Sequence, residues 1–290
     1  IYTLGASVSI MRLVNKLSMQ LNIPIIMHFM DNWVEHIQWE DNPLLSLYKS
    51  SLKKEMMGCL KRCKLVITIS SSMAEAYKEK FQKDTLVLMN TVDLSRFSGV
   101  TSKNTEVTHF VYAGGLHLDR WKALREIALS IKQTNGKGVL DIFTSKDNME
   151  LYRPRFETLP VAFYEAVPHE QIDEVYQKAD VLVHTEIESE KLKGFFKYSI
   201  STKIPEYLAT GKPILFYGPR DMKLFEYLLQ NQAALMASTK EELYVCVERL
   251  TSEENFTKMC ENARCLAERN HCASKNQKAL HNAIESVVLN

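Results

Sequence analysis

The chain alternates short runs of consecutive apolar residues with longer segments in which apolar residues recur every three or four positions. The runs at 23–30, 65–69 and 85–89 predict buried strands, and the periodic segments at 44–63 and 73–81 predict helices. Strands that are separated by helices in this way pair in parallel. The first third of the chain therefore predicts a parallel sheet with helices packed on it.

A small, polar stretch at 98–108 interrupts this alternation and has the composition of a surface connection between two compact units. The alternation then restarts, with predicted strands at 107–113, 139–144, 161–166, 180–184 and 213–217, predicted helices at 120–133, 169–178, 203–210 and 222–230, and two or three further helices. We predict an α/β protein with two tandem, doubly wound, Rossmann-like domains.

The first predicted domain covers residues 1–100 and the second covers 106–272, and a terminal helix at 273–290 is expected to pack back on the first domain. Because Ile1 already begins a predicted strand, the first domain is expected to lack its start. Two such domains bind ligands beyond the carboxyl ends of their strands, so the cleft between them is the predicted site.

The strongest chemical signal lies at 199–213, where a loop runs into a short predicted helix and then into a strand. Thr202 is the predicted N-cap, and Pro205 falls in the first turn, where its missing N–H has no helical partner to lose. Gly211 supplies the C-terminal stop, and Pro213 opens the next strand. A helix therefore starts at the carboxyl end of the second predicted sheet.

Lys203 and Glu206 give this helix start its chemistry. A helix N-terminus at the end of a sheet binds anions, and Lys203 adds a positive charge that suits a diphosphate. Glu206, one turn further, suits bidentate acceptance of hydrogen bonds from two adjacent ribose hydroxyls. The structural alternative is that Glu206 only complements the helix dipole and that Lys203 is solvated.

The second signal is the strand-to-helix turn at 112–122, with the sequence YAGGLHLDRWK. Gly114 and Gly115 allow the backbone to approach a ligand closely. Arg120 and Lys122 carry positive charge that suits a departing diphosphate. A glycine pair also occurs in many turns for conformational reasons alone, so this signal is the weaker of the two.

Composition removes several classes of function. The 36 Lys and Arg side chains against 35 Asp and Glu leave a net charge of +1, which creates no overall field for nucleic acid. No apolar run is long enough to span a bilayer, and the six cysteines show neither a paired zinc-site spacing nor any other metal constellation. We predict buried, reduced thiols and a cytoplasmic protein, with the inner face of a membrane as an alternative location.

The second half of the chain resembles a known family at these residues. Lys203, Glu206-Tyr-Leu-Ala and Gly211-Lys-Pro, with Ala113-Gly-Gly earlier, are similar to the donor half of retaining GT-B glycosyltransferases of the large family four group. The first half resembles the end of the acceptor domain of that family through the segments Val66-Ile-Thr-Ile-Ser70, Met73, Tyr77, Asn90-Thr-Val-Asp93 and Phe97. The resemblance covers nearly the whole chain.

Residues 23–33 also resemble the family's segment at the interdomain cleft, with His28 and Asp31 as its polar groups. At a strand end, these side chains could orient an acceptor hydroxyl or stabilise charge near the sugar. The structural alternative is a core histidine and an aspartate that caps a turn. The expected site has two sets of residues, for catalysis His28, Asp31, Arg120 and Lys203, and for donor binding Gly114, Gly115, Arg120, Lys203, Glu206 and Tyr207.

The chain departs from the family pattern in three places. The first of two glutamates that are often separated by seven residues is Tyr198 here, and the neighbouring acids that could replace it are Glu186, Glu188 and Glu190. The arginine that often follows the first glycine is Gly115, which leaves Arg120 and Lys203 as the phosphate candidates. Thr91 replaces the usual glycine after Asn90.

The predicted helix at 44–63 is basic and amphipathic, since Leu45, Leu52, Met56 and Leu60 alternate with Lys49, Lys53, Lys54, Lys61 and Arg62. Such a helix could rest on anionic lipid. The alternative is an ordinary helix that turns its apolar side to the core.

The resemblance implies transfer of a sugar from a nucleoside diphosphate sugar to a glycan or lipid-linked acceptor, with retention and with no cofactor or metal, in surface polysaccharide or glycoconjugate synthesis. A sugar-nucleotide epimerase of the same fold and a non-catalytic subunit that binds nucleotide sugars remain alternatives. A nicotinamide dehydrogenase is disfavoured because the G-x-G-x-x-G pattern is absent.

Overall fold

In the computed structural model, the chain folds around two parallel β-sheets, each built from its own stretch of sequence. The structure describes residues 1–5, 7–31, 43–97, 106–186, 198–252 and 255–289. The predicted α/β class with two parallel sheets is confirmed. Most of the polar stretch that we predicted to join the two domains, and the acids Glu188 and Glu190, lie outside the described residues.

The first sheet has the strand order β1-β2-β3-β4. Its strands are β1 (Tyr2–Leu4), β2 (Ile25–Phe29), β3 (Cys63–Thr68) and β4 (Leu86–Val87), and its helices are α1 (Val8–Leu21), α2 (Pro43–Arg62) and α3 (Ser71–Phe81). Ser70 caps α3 by accepting a hydrogen bond from the Met73 backbone N–H at 3.2 Å. The predicted strand at 85–89 is shorter than expected, since only two of its residues pair with β3.

The apolar side of α2 faces the core of the first domain. Leu52, Met56 and Leu60 are buried there together with residues of β2 and β3, whereas Lys53 and Lys54 are exposed. The amphipathic pattern of this helix is therefore accounted for by packing on the sheet, since any helix on a domain surface shows it.

The second sheet has the strand order β10-β9-β8-β5-β6-β7. Its strands are β5 (Thr108–Ala113), β6 (Gly138–Thr144), β7 (Val161–Glu165), β8 (Val181–Thr185), β9 (Ile214–Tyr217) and β10 (Leu235–Ala237). The chain first builds outward from β5 to β7 and then returns to the other side of β5 with β8. The strand order therefore reverses between β5 and β8, and such a reversal opens a crevice at the carboxyl ends of the strands.

Helices cover both faces of this sheet and complete the chain. They are α4 (Arg120–Lys132), α5 (Lys146–Tyr152), α6 (Ile172–Lys178), α7 (Lys203–Thr210), α8 (Lys223–Gln230), α9 (Lys240–Thr251), α10 (Thr257–Leu266) and α11 (Ala273–Leu289). The bounds of α7 are the predicted ones. Its last turn ends at Gly211 with a φ of 66°, a left-handed conformation that glycine adopts without strain. Among the described residues, no helix is both long and apolar enough to cross a membrane.

The last helix returns to the first sheet. Leu280, Ile284 and Val287 of α11 pack against a small core that includes Ile26 and Ile67. The chain just before α11 pairs with the segment that leaves the first sheet, through a parallel bridge between Val92 and Cys272. The end of the chain thus ties the connection between the two sheets to the first domain.

Candidate functional site

A cavity of about 470 Å³ lies at the carboxyl edge of the second sheet, and this volume is typical of a small-molecule site. It is bordered by the ends of β5, β6 and β7 and by the starts of α6 and α7. Its lining residues include Gly114, Gly115, Thr144, Ser145, Asn148, Val167, His169, Tyr176, Lys203 and Glu206. The structure therefore brings four of the predicted donor-binding residues to one cavity, which we call the α7 cavity.

Lys203 begins α7 and brings its ammonium group close to the end of β5. The ammonium nitrogen lies 4.4 Å from the centroid of the Tyr112 ring, within the range of a cation–π contact. Burial, reinforced by the positive charge of Arg120, lowers the pKa of Lys203 to about 8. An anion in the cavity would therefore meet a lysine that is poorly hydrated and held in place.

Gly114 makes room for Lys203. Its φ of +155° is a conformation that side-chain-bearing residues rarely adopt, and a Cβ at this position would lie 2.5 Å from the Lys203 ammonium nitrogen. The carbonyl of Gly115 accepts a hydrogen bond from the Tyr112 hydroxyl at 2.8 Å, which fixes the turn after β5. The glycine pair therefore shapes one wall of the cavity and positions its cation.

Glu206 lies one turn after Lys203 and is 9% exposed. Its carboxylate is 3.6 Å from an Arg96 nitrogen, 3.7 Å from the His169 ring and 3.4 Å from the Tyr176 hydroxyl. Burial raises the pKa of Glu206, and the charges of His169 and Arg96 oppose that rise. Because these neighbouring donors lie 3.4–3.7 Å away, the carboxylate oxygens are suited to accept hydrogen bonds from ligand hydroxyls.

Arg120 lies beside Lys203 but is engaged by an acid. Its guanidinium donates to both carboxylate oxygens of Glu186 at 3.1 Å, and Glu186 also lies 3.5 Å from His184. Burial acts to raise the pKa of Glu186, but His184 and Arg120 together outweigh it and the pKa is lowered. Arg120 does not line the α7 cavity. Its positive charge acts on the site by repelling the Lys203 ammonium, which lowers the pKa of Lys203.

His28 and Asp31 lie at the carboxyl end of β2, away from the lining of the α7 cavity. Nδ1 of His28 is 2.7 Å from the Tyr2 hydroxyl, and its buried Nε2 has no partner within the described part of the chain. Burial lowers the pKa of His28. Asp31 accepts a hydrogen bond from the Ser199 hydroxyl at 3.2 Å, so it contacts the loop that leads into α7.

Two further polar side chains of the first domain hold the same loop. The Ser70 hydroxyl donates to the Tyr198 carbonyl at 2.9 Å, and the Asn90 side chain donates to the Ile200 carbonyl at 2.8 Å. Tyr198, which stands where the resemblance predicts an acid, is thus part of an interdomain contact. The first domain thereby supports the start of the helix that carries Lys203.

Tyr207 was predicted to bind the donor, but the structure places it outside the cavity lining. It is fully buried, its hydroxyl donates to the Val183 carbonyl at 3.3 Å, and its ring packs edge-on against Tyr176 at 5.1 Å between centroids. It lies behind the α7 cavity and does not line it. The physical reason is helical geometry, since a residue directly after Glu206 points about 100° away from it.

Lys212, in the Gly211-Lys-Pro segment that resembles the family, has a structural role. Its ammonium donates to the carbonyls of Gln177 at 2.8 Å and Ala179 at 2.5 Å, at the end of α6. Thr202 precedes α7 as predicted, but its side chain makes no capping hydrogen bond. Within the described residues, no group of three or more His, Cys, Asp or Glu side chains is placed to hold a metal ion.

Arg96 and Asp173 are site residues that the sequence did not indicate. Arg96 precedes Phe97, which belongs to the resemblance, and Asp173 is in the first turn of α6. The two are separated by 77 residues in the chain. The available signal was a basic residue three positions after Asp93, which caps the turn, but this signal does not tell which carboxylate the arginine meets.

The fold of the chain is similar to solved structures over both sheets. A sucrose-phosphate synthase from Thermosynechococcus elongatus superimposes with a TM-score of 0.70 over 100% of this chain and 73% of its own, at 13% identity. Anabaena HepE in complex with UDP-glucose gives 0.65 over 97% and 77%, at 14% identity. WaaG, a glycosyltransferase involved in lipopolysaccharide biosynthesis, gives 0.60 over 92% and 79%, also at 14% identity.

The chain has the GT-B fold. Its two sheets correspond to the two Rossmann-like domains of these glycosyltransferases, and the α7 cavity lies at the carboxyl edge of the second GT-B domain. No protein-family model and no curated protein sequence matches the chain. At these low identities, the likeness shows the fold alone.

Proposed function

We propose that this GT-B protein transfers a glycosyl group from a nucleoside diphosphate sugar to an acceptor. The observation that carries the proposal is the convergence of Lys203, Glu206 and the Gly114–Gly115 turn on one cavity at the point where the strand order reverses. This is where open α/β sheets bind their ligands.

The spacing of the two charged residues fits the donor. Residues three apart on a helix share one face, so the Lys203 ammonium and the Glu206 carboxylate point into the same cavity about one turn apart. In a nucleoside diphosphate, the ribose and the diphosphate are likewise neighbours. Glu206 would accept hydrogen bonds from the ribose hydroxyls, and the Lys203 ammonium, at the positive end of α7, would hold the diphosphate.

The reaction places its largest charge change on the diphosphate, which gains negative charge as its bond to the sugar breaks. Lys203 is pre-positioned beside the turn after β5 to meet that charge. Arg120, which lies beside Lys203 outside the cavity lining, would add positive charge at longer range, and its own charge is balanced by Glu186. In this proposal, transfer proceeds with retention and without a resident cofactor or metal, and the anomeric configuration of the first product, read by proton NMR, checks retention.

The similar structures support a sugar nucleotide as the donor, since HepE was solved with UDP-glucose. WaaG, a glycosyltransferase involved in lipopolysaccharide biosynthesis, and WaaB, a lipopolysaccharide outer core galactosyltransferase, support a glycan acceptor, and a lipid-linked acceptor is the alternative within our proposal. We extend these to the chain as a hexosyltransferase in surface polysaccharide or glycoconjugate synthesis. Acceptor-dependent release of the nucleoside diphosphate would separate transfer from epimerisation, which converts the donor without an acceptor.

Calorimetric titration with UDP, GDP and ADP tests the donor site. One of these nucleotides is expected to bind, and Glu206→Ala is expected to weaken it by roughly 10- to 30-fold, a net loss of about 1.5–2 kcal/mol, because the ribose hydroxyls lose a charged hydrogen-bond acceptor. Glu170→Ala is the matched control, since Glu170 is an exposed carboxylate in the turn beside the cavity. Absence of binding by a folded chain would contradict the assignment and favour a different role for the cavity.

We also propose that the first domain approaches its acceptor on an anionic membrane surface. A shallow groove between α1 and α2 is lined by Arg12, Lys16, Lys54, Lys61 and Arg62, with one acid, Glu55. Such a cluster attracts anionic headgroups by roughly 1 kcal/mol per basic residue near the surface. The apolar side of α2 is used in the core, so contact would be electrostatic and reversible.

Vesicle binding checks this second proposal. The chain is expected to sediment with vesicles that contain phosphatidylglycerol and not with pure phosphatidylcholine, and Lys61→Glu with Arg62→Glu should lower the partition coefficient at least about tenfold. The control reverses two exposed lysines of the second domain, Lys132 and Lys137. Equal loss in both double variants would point to net charge alone and reject the groove.

A further inference from the structure

Arg96 is fixed beside the α7 cavity by a carboxylate from another helix. Its Nε donates to one oxygen of Asp173 at 2.8 Å, and its Nη2 donates to the other at 2.6 Å. Such a bidentate pair fixes both the position and the plane of the guanidinium. Arg96 belongs to the short turn Leu94–Arg96 in the segment that leaves the first sheet, whereas Asp173 belongs to α6 of the second domain.

The remaining nitrogen of this fixed group faces the carboxylate of Glu206. Arg96 Nη1 lies 3.6 Å from Glu206 Oε1, which is close enough for strong attraction but too long for a hydrogen bond. The Tyr176 hydroxyl is the nearest donor to the other oxygen, at 3.4 Å. Arg96 therefore supplies charge to Glu206 without occupying the oxygens that a ligand would use.

The positive charge of Arg96 affects the protonation of Glu206 because other groups around this carboxylate favour its neutral form. The groups that face it are Arg96 from the connecting segment, His169 from the turn before α6, and Asp173 and Tyr176 from α6. Burial and the negative charge of Asp173 raise the pKa of Glu206, and His169 and Arg96 lower it. Without Arg96, two carboxylates would share this corner, stabilised by the long hydrogen bond from the Tyr176 hydroxyl and by a histidine whose side chain is 70% exposed.

We infer that Arg96 is a positioning residue that keeps the Glu206 carboxylate charged and oriented to accept the ribose hydroxyls of the donor. The inference rests on the proposed donor site and adds a role for the segment between the two sheets. Because Arg96 acts through Glu206, its loss should lower the affinity only of nucleotides whose ribose hydroxyls contribute to binding. This property separates a positioning role from general support of the fold.

The experiment compares the tightest binder among UDP, GDP and ADP with its 2′,3′-dideoxy analogue, by calorimetry on the full chain. Arg96→Met should weaken the ribonucleotide about five- to tenfold and leave the dideoxy analogue nearly unchanged, as expected for the loss of one charge neighbour. Added to Glu206→Gln, Arg96→Met should have no further effect. With Arg96→Met, the ribonucleotide affinity should also begin to fall at a higher pH on acidification, as Glu206 takes up its proton sooner.

Arg264→Met is the matched control, because Arg264 also holds the connecting segment but faces no ligand group. Its guanidinium donates to the Phe97 carbonyl at 2.8 Å and to the Ala209 carbonyl. This variant should affect the two nucleotides alike. Arg96→Lys keeps the charge and provides a variant with less effect on the fold.

Four outcomes decide the inference. A selective loss of ribonucleotide affinity that disappears in the Glu206→Gln background supports it. Equal loss for both ligands, or no loss, overturns it and leaves the donor site standing. Discrimination of the dideoxy analogue that survives Glu206→Gln also overturns it, since Glu206 would then not hold the ribose. Absence of any nucleotide binding by the folded wild-type chain removes the proposed function and the inference together.

Discussion

Replacing Lys203 by methionine is expected to weaken nucleoside diphosphate binding by about 10²-fold or more, as for the loss of one partner from a buried charge pair. The same change is expected to raise the free energy of unfolding at pH 7. The ammonium is buried beside the Tyr112 ring, and the charge of Arg120 repels it. A residue that costs stability while it improves binding is typical of a functional site.

The sign of the stability effect follows from the pKa. Burial lowers the pKa of Lys203 from the ordinary value of 10.5 to about 8, so at pH 7 the folded state must hold a charge that water would hold more easily. The cost to folding is at most about 3 kcal/mol. It is fully present below pH 8 and disappears as the pH rises from 8 to 10.5, because the folded state then loses its proton first. The stability advantage of Lys203→Met should therefore shrink over that interval.

Binding should show the matching dependence on pH. A diphosphate stabilises the protonated lysine, so its binding raises the pKa of Lys203, and above pH 8 binding must take up a proton. Titration at pH 8.5 in buffers of different ionisation enthalpy measures this uptake. Lys203→Arg, which stays protonated, and Lys203→Met should take up no proton. Proton uptake that persists in both variants would assign it to another group.

Local sequence determined α7 well because each of its boundaries has a local physical cause. Pro205 is tolerated in the first turn, and Gly211 adopts the left-handed conformation that ends the helix. The convergence of Lys203, Glu206 and Gly114 could also be anticipated, since Gly114 directly follows a predicted strand and the other two begin a helix that was expected at the carboxyl edge of the same sheet.

Elements whose signals depend on tertiary contacts were harder to predict. Helix α1 was not predicted, because Ile10, Leu13 and Leu21 are apolar on its exposed side as well and blur the periodicity. Strand β4 was predicted too long, because its pairing with β3 ends with the bond from the Leu88 N–H to the Thr68 carbonyl at 2.9 Å, and the side chains at 88 and 89 are apolar because they pack in cores between elements.

Pairs of charges were the hardest part of the site to predict. Sequence identified Arg120 as a cation but not Glu186 as its partner, and it gave no hint that Arg96 would face Glu206. Arg120 and Glu186 are 66 residues apart, and Arg96 and its partner Asp173 are 77 apart, so these pairs meet only because the strand order and the segment between the sheets bring them together. The types of residue in a site can thus be read from a sequence, whereas their states of charge require the fold.

Gly114→Ala is expected to weaken nucleoside diphosphate binding by about 10²-fold, close to the effect of removing Lys203, because both changes take the ammonium away from the ligand. The new Cβ would lie 2.5 Å from the Lys203 nitrogen and 3.2 Å from the Tyr112 hydroxyl. Lys203 must therefore move, and the φ of +155° adds backbone strain.

Gly136→Ala separates these two causes. Gly136 has a φ of +87°, but a Cβ there would meet nothing within 4 Å. It should lose about 1–2 kcal/mol of stability through backbone strain, with unchanged nucleotide affinity. In the Lys203→Met background, Gly114→Ala should cost little further affinity, because the group that it displaces is already gone. A full additional loss in that double variant would mean that the Gly114 backbone itself contacts the ligand, and that the turn after β5 binds the donor independently of Lys203.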